Sequence, residues 1–394
     1  MSQIVIPDNA QKIIETLTTN GHEAYIVGGC VRDALLGRVA YDYDITTSAF
    51  PEEIKELFER TVDTGISHGT VTVISDGIPY EVTTFRIDGE YHDSRHPVSV
   101  SFTKNVEYDL ARRDFTVNAM CYNHESGIID VFGGIEDLEK RIIRAVGDPE
   151  LRFSEDALRV FRAIRFAATL GFKIEENTKK AIHKYKEKLK SISAERINTE
   201  WQKLLSGEYA YEVIEEYKDV ISAYISELKD LNMPDRVKFN KLTPKERQIA
   251  LFAKSGGAKS MASGLERLKS DNKTKEFSLS VIENLTLCDS MSDAELKMYL
   301  QGISDEGALS AALICYALGL CSEDIYSKLS LLIESNTPRR ISDLAIGGRQ
   351  LLEAGYVGEE IGRMLNRLLV MVAKGEIEND KQALSDFVRN SKVI

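Results

Sequence analysis

Cysteine is scarce in this chain and carries no pattern. Cys30, Cys121, Cys288, Cys315 and Cys321 are odd in number, scattered, and never spaced as CxxC. That excludes a disulfide framework and a cysteine zinc site, and it predicts reduced thiols in a cytoplasmic protein. Long apolar runs are also missing. No stretch of about 18 apolar residues occurs, so no membrane span is expected. The opening "MSQIVIPDNAQKII" lacks the basic region and apolar core of a secretory signal. Positive charge is in deficit as well: 50 Lys and Arg against 62 Asp and Glu give a formal net charge of -12. Such a balance argues against nonspecific nucleic-acid binding.

The deficit is not uniform. Between Arg152 and Arg196 twelve Lys and Arg stand against six acids, a local balance of +6. The stretch reads either as a solvated helix face or as a stripe turned toward a polyanion. Five of the eight prolines precede residue 150, which splits the chain in character. At 394 residues and 43% hydrophobic it can bury ordinary cores, and its length predicts two to four domains.

Residues 1–145 alternate between strand and helix patterns. "AYIVGG" is a short apolar run ending in glycines, and "CVRDALLG" reads as a short helix stopped by Gly37. "YDYDITT" alternates like a strand, and "PEEIKELF" opens a helix with Pro51 suited to the first turn. "TVTVIS" and "IPYEVTTF" flank an Asp-Gly pair, the signature of a hairpin. From Arg152 onward strand patterns give way to helical periodicity, as in "ALRVFRAIRFAATLGF" and "EEIGRMLNRLLVMVA". The expected fold is α+β: a head with a small mixed sheet, then an all-helical remainder.

Several segments carry chemistry. In a strand, Asp42 and Asp44 share one face and can bind one hard cation; Glu81, on a neighbouring strand, would add a third carboxylate. Such a set suits two metal ions in an in-line phosphoryl displacement. Gly28 and Gly29 let backbone N–H groups approach an anion at a helix start. Arg32 sits poorly against that helix dipole unless an anion accompanies it. In "ARRDFTVNAM", Arg112 and Arg113 can clamp phosphate oxygens, while Asp114 and Asn118 can bond a ribose hydroxyl or serve as a cap.

"SEDALRVFRAIRF" reads as one helix on which Asp156 and Arg159 are neighbours at i, i+3. They can form a plain ion pair. Alternatively they read a base edge: Asp156 accepts from an exocyclic amino group while Arg159 donates to the adjacent ring nitrogen. Adenine and cytosine match that order; guanine and uracil reverse it. Arg162 and Arg165 would face phosphates, and Glu155 would orient Arg159.

Together "GGCVRD", "DYD", "RRDFTVNAM", "FGGIEDL", "IRAVGDP", "RFSEDALRVFRAIRFAATLGF" and "SAERI" resemble the class II tRNA nucleotidyltransferases, the CCA-adding enzymes of the bacterial and eukaryotic type, and their poly(A) polymerase relatives. The resemblance covers residues 25 to about 205 in family order, and "ISDLAIGGRQLLEAGYVGEEIGRMLNRLLVMVAKGEIEND" resembles the family's C-terminal tRNA-binding region. It implies a catalytic nucleotidyltransferase head (1–141), a helical neck that selects nucleotides (142–205), a helical body (206–310) and a tRNA-binding tail (311–394), in an elongated arrangement. It also implies that Asp42 and Asp44 hold Mg2+, with Glu81 as the third catalytic carboxylate. Gly29, Arg32 and Arg113 would contact the incoming nucleotide, and Asp156, Arg159, Arg162 and Arg165 would lie on the selecting helix. The expected partners are CTP, ATP and the acceptor and TΨC arms of tRNA.

The expected product is C, C and A. Within "RIDGEYHDSRHPVSVSF" the family places a loop able to switch the template from C to A. Addition of A alone to tRNA ending in CC, or of a poly(A) tail, fits the same motifs. A catalytically inactive tRNA-binding protein would share the fold.

Overall fold

The computed structural model describes residues 4–40, 42–89, 100–335 and 338–391. The middle of the expected switching loop, residues 90–99, lies outside the described residues. The chain forms two compact units, 1–226 and 227–394.

The first unit is built on a mixed sheet. Its strands are β1 (Ala24–Val27), β2 (Ile45–Thr47), β3 (Thr61–Gly65), β4 (Thr70–Ser75) and β5 (Ile78–Thr84). A side pair, β6 (Arg86–Asp88) and β7 (Val100–Phe102), is followed by β8 (Met120–Asn123) and β9 (Gly127–Asp130). Seven of these form one sheet in the order β3-β4-β5-β2-β1-β8-β9. Its pairings are antiparallel except β2 with β5, which run parallel.

The expected β4–β5 hairpin is present. Its turn places Asp76 at φ 49° and Gly77 at φ 82°, the pair of left-handed conformations that matches strand twist. The expected strand over "YDYDITT" is shorter than its pattern suggests. β2 begins only at Ile45, and Asp42 and Asp44 precede it. Aspartates pack poorly on a pleated surface, so the ladder starts where the β-branched residues start. Asp44 is still anchored, because its carbonyl accepts from the Val27 N–H at 3.0 Å.

Helices α1 (Asp8–Thr19), α2 (Gly29–Leu35), α3 (Pro51–Leu57), α4 (Val106–Ala111) and α5 (Gly134–Lys140) accompany the sheet. Tyr25, Val27, Phe85, Leu110 and Cys121 form a buried cluster between sheet and helices. A parallel pair, β10 (Ile142–Ile143) and β11 (Lys173–Ile174), brackets the start of the helical part. That part comprises α6 (Pro149–Glu155), α7 (Leu158–Leu170), α8 (Glu176–Tyr185), α9 (Ala194–Leu205), α10 (Ala210–Glu216) and α11 (Lys218–Tyr224). α7 packs along α9 through fully buried Phe161, Ile164, Trp201 and Leu204. Each such side chain contributes about 1.5–3 kcal/mol on burial.

The single helix expected over 154–166 is in fact two. α6 ends at Glu155, Asp156 is extended at φ -134° and ψ 102°, and α7 starts at Leu158. Aspartate competes with the backbone for its own N–H groups, so it favours a helix start over an interior. Here its carboxylate accepts from the Leu158 N–H at 3.0 Å.

Among the described residues the second unit holds ten α-helices, from Arg236–Asn240 to Lys381–Asn390, and no strand. Their boundaries are written in the sequence. Thr243 with Glu246 and Ser292 with Glu295 form capping boxes, and Gly319 at φ 75° ends the helix Asp305–Leu318. Leu351, Leu368 and Leu384 are fully buried in a separate core near the C-terminus. Among the described residues no helix is long and apolar enough to cross a membrane.

Candidate active site

At the edge of β1 the chain turns sharply into α2. Gly28 lies at φ 82°, and a Cβ there would meet Arg113 Nη1 at 2.9 Å, so only glycine leaves the guanidinium in place. Beyond this turn opens a cleft of about 630 Å³ within the first unit. The glycines, Arg32, Asp42, Asp44 and Arg113 line it, together with Arg162, Arg165 and Lys203 from α7 and α9.

The carboxylates repel one another. Asp44 is exposed along its length, yet the protein crowding its carboxyl raises its pKa to about 6. Burial is the main cause, Asp42 and Glu81 add to it, and Arg113 opposes it. Glu81 is brought near by the parallel register Ile45↔Val82, in which Asp44 and Glu81 each precede the paired residues. Among the described residues no three His, Cys, Asp or Glu side chains converge as a ready-made metal-ligand group. The donor set nevertheless suits a hard divalent cation: oxygen ligands whose mutual repulsion a cation would relieve.

Arg113 supplies a matching observation on the anion side. Its Nε is buried and, among the described residues, has no hydrogen-bond partner. Its Nη2 reaches Asp109 Oδ2 only at 3.4 Å. An unpaired buried guanidinium N–H is costly unless a ligand oxygen completes it.

The remaining cations are held in a chain of pairs. Asp33 takes Arg32 through two bonds of 2.9 Å, and Arg32 Nη1 donates to Asn118 Oδ1 at 2.6 Å. Asn118 Nδ2 donates to Asp114 Oδ1 at 3.1 Å, and the Phe115 N–H donates to the same oxygen at 2.8 Å. Asp114 Oδ2 accepts from Arg162 Nε at 2.7 Å. Glu200, buried on α9, takes Arg165 Nε at 2.8 Å and lies 3.5 Å from Arg162. Asp114 is fully enclosed, and burial alone would raise its pKa; Arg162, Asn118 and Arg159 outweigh that and bring it down to about 2. Burial would likewise discharge Arg162, but Asp114 and Glu200 keep it cationic.

The structure therefore gathers Gly28, Gly29, Arg32, Asp42, Asp44, Arg113, Asp114, Asn118, Arg162 and Arg165 at one cleft. Five other expected residues do not line it. Glu81 lies on the neighbouring strand. Arg112 turns to Asp109, with bonds of 2.9 and 2.7 Å. Glu155 pairs with Arg152 and Arg159, each at 2.7 Å. Arg159 also donates to the Arg112 carbonyl at 2.8 Å, and Asp156 is held by Arg196 at 2.8 Å. Asp156 thus sits in the α6–α7 break and Arg159 on α7, each with its own partners. The expectation of an intrahelical pair gives way to two separately anchored groups.

Lys203, Phe166 and Glu200 escaped the sequence reading. Glu200 and Lys203 are three apart on an amphipathic helix following the quoted "SAERI", which was the available signal.

A mixed sheet presenting paired carboxylates beside a glycine turn, with an arginine-lined helix opposite, defines a nucleotidyltransferase. Residues 24–144 match the family described as Poly A polymerase head domain. Residues 171–220 match the family described as "Probable RNA and SrmB- binding site of polymerase A", and residues 240–388 match the one described as "tRNA nucleotidyltransferase domain 2 putative". The CCA-adding enzyme of Leuconostoc mesenteroides is 36% identical over 97% of this chain and 96% of its own length. That of Ligilactobacillus salivarius is 38% identical over 98% and 97%. The crystal structure of the Bacillus stearothermophilus CCA-adding enzyme in complex with CTP superposes with a TM-score of 0.79, at 32% identity, covering 98% of each chain. The chain belongs to the family of CCA-adding enzymes.

Proposed function

We propose that this protein completes the 3′ end of tRNA by adding C, C and A from CTP and ATP, without a nucleic-acid template. One observation carries the reading: Asp42 and Asp44 share a cleft with Arg32, Arg113, Arg162 and Arg165. The cations receive the nucleotide's phosphates, and the Gly28–Gly29 turn lets backbone N–H groups come close to them. The RNA 3′ hydroxyl attacks the α-phosphorus in line, the bond to the bridging oxygen breaks, and pyrophosphate leaves.

Asp42 and Asp44, with Glu81 behind them, are the residues that would hold Mg2+. When bound, the metal activates the attacking hydroxyl and stabilises the leaving phosphate. Asp156 and Arg159 read the base edge, and the partners that anchor them fix their order. Across the residue ranges of this reading, head (1–141) and neck (142–205) fall in the first unit and tail (311–394) in the second; the body (206–310) straddles the division at 226 and 227. The acceptor and TΨC arms of tRNA are the partner of body and tail. Five unpaired cysteines accord with a cytoplasmic setting.

The test is incorporation of α-labelled CTP into tRNA lacking its 3′ end. Wild-type protein with Mg2+ should label the RNA. Asp44→Asn should lose about 10²-fold or more of that rate, the scale for removing one preorganised electrostatic group, while still binding tRNA. Undiminished labelling by Asp44→Asn would remove the assignment.

A further inference from the structure

Phe166 is nearly buried, 4% exposed, yet it lines the nucleotide cleft. Three guanidinium groups converge on its ring. Arg165 lies 3.4 Å from the centroid, Arg32 5.2 Å and Arg162 5.3 Å. They come from two helices: Arg32 from α2 in the head, Arg162 and Arg165 from α7. Three like charges so close repel one another. Asp33, Asp114 and Glu200 each accept from the Nε of one of these guanidiniums.

A ring face carries negative quadrupole density and holds a cation within about 6 Å, most strongly where water is excluded. Leucine at 166 would fill similar space without that property. Phe166 is itself fixed from behind by an edge-on contact with Phe115, at 5.7 Å between centroids and 80° between planes. The ring is therefore rigid, enclosed, and common to three cations of the cleft.

We propose that Phe166 is a positioning residue for nucleotide binding: its ring gathers Arg32, Arg162 and Arg165 into one preassembled seat for the phosphates of the incoming nucleoside triphosphate. It acts through the arginines and touches no reacting atom. The inference rests on the proposed activity, because it presumes that a nucleoside triphosphate occupies the cleft.

The test uses the full chain and four proteins: wild type, Phe166→Leu, Phe166→Tyr and Phe115→Leu. Equilibrium binding of CTP is measured by calorimetry, and kcat and KM for CTP are measured on tRNA lacking its 3′ end. Phe166→Leu should weaken CTP binding and raise KM about tenfold, the scale of losing desolvated cation–π contacts, with kcat within about twofold of wild type. Phe166→Tyr keeps the ring face and should bind CTP within about twofold of wild type. Phe115→Leu loosens the ring but keeps its face, and should raise KM by no more than about twofold even where its melting temperature falls.

An unaltered KM in Phe166→Leu would overturn the proposal, as would equal impairment of the Leu and Tyr variants. So would a KM rise in Phe115→Leu matching that of Phe166→Leu, which would assign the effect to packing. If wild type itself neither binds CTP nor extends tRNA, the proposed activity fails first, and the proposal for Phe166 falls with it.

Discussion

Asp114 is the junction of the cleft. It is buried, accepts from Arg162, Asn118 and the Phe115 N–H, and has its pKa brought down to about 2. Asp114→Asn preserves shape but turns one accepting oxygen into a donor facing Arg162, whose next carboxylate, Glu200, is 3.5 Å away. Breaking a buried pair from one side costs about 3–5 kcal/mol. The lowered pKa has the same origin: burial alone would raise it, and ion pairing and hydrogen bonding more than offset that burial. For a unit spanning residues 1–226, each kcal/mol moves the melting temperature by about 2–4 °C. The melting transition of this unit should therefore fall by about 6–20 °C at pH 7, followed by calorimetry. The pH dependence has a definite sign. A carboxyl with a depressed pKa stabilises fully above about pH 4, and that stabilisation is lost as pH falls toward about 2. The gap between wild type and Asp114→Asn should accordingly narrow over that window. A drop under about 3 °C at pH 7, or a gap that stays constant between pH 4 and pH 2.5, would refute the argument.

Asp44 titrates in the opposite sense. With its pKa raised to about 6, a proton competes with a cation for the same oxygens below that pH. Mn2+ binding to the nucleotide-free protein, followed by paramagnetic relaxation, should weaken steeply below about pH 6; affinity that is flat from pH 7.5 to pH 5 would contradict this. Under the proposed base reading, Arg159→Ala leaves Asp156 without the donor beside it. Misincorporation of U against C in competition should rise by about tenfold or more, because polar discrimination then loses one of its two members. Unchanged selectivity would dismiss the base-reading role.

Much of this was legible in the sequence because local physics decided it. The Asp-Gly turn fixed the β4–β5 hairpin, and Pro51 opened α3. The cleft was legible through its charged residues, which stand out against an acidic chain. Two local expectations failed at aspartates. Asp42 and Asp44 shortened a strand because they pack poorly on a pleated surface, and Asp156 broke a helix because its carboxylate takes the Leu158 N–H. Other features were illegible because they arise only in three dimensions. Glu200 meets Arg165 across 35 residues, and Arg112 proves to belong to Asp109 and not to the cleft. Phe166 carries no charge to mark it in the sequence; only the packed structure shows three guanidiniums over its ring.

The most direct measurement of the central claim uses wild-type protein, Mg2+ and three tRNA transcripts, ending before CCA, after its first C, and after CC. Each is offered all four nucleoside triphosphates, and the products are resolved at single-nucleotide steps. The account predicts that all three converge on the same CCA-ended tRNA and stop there. Growth of the CC-ended transcript alone, or a long ladder with ATP, would contradict it.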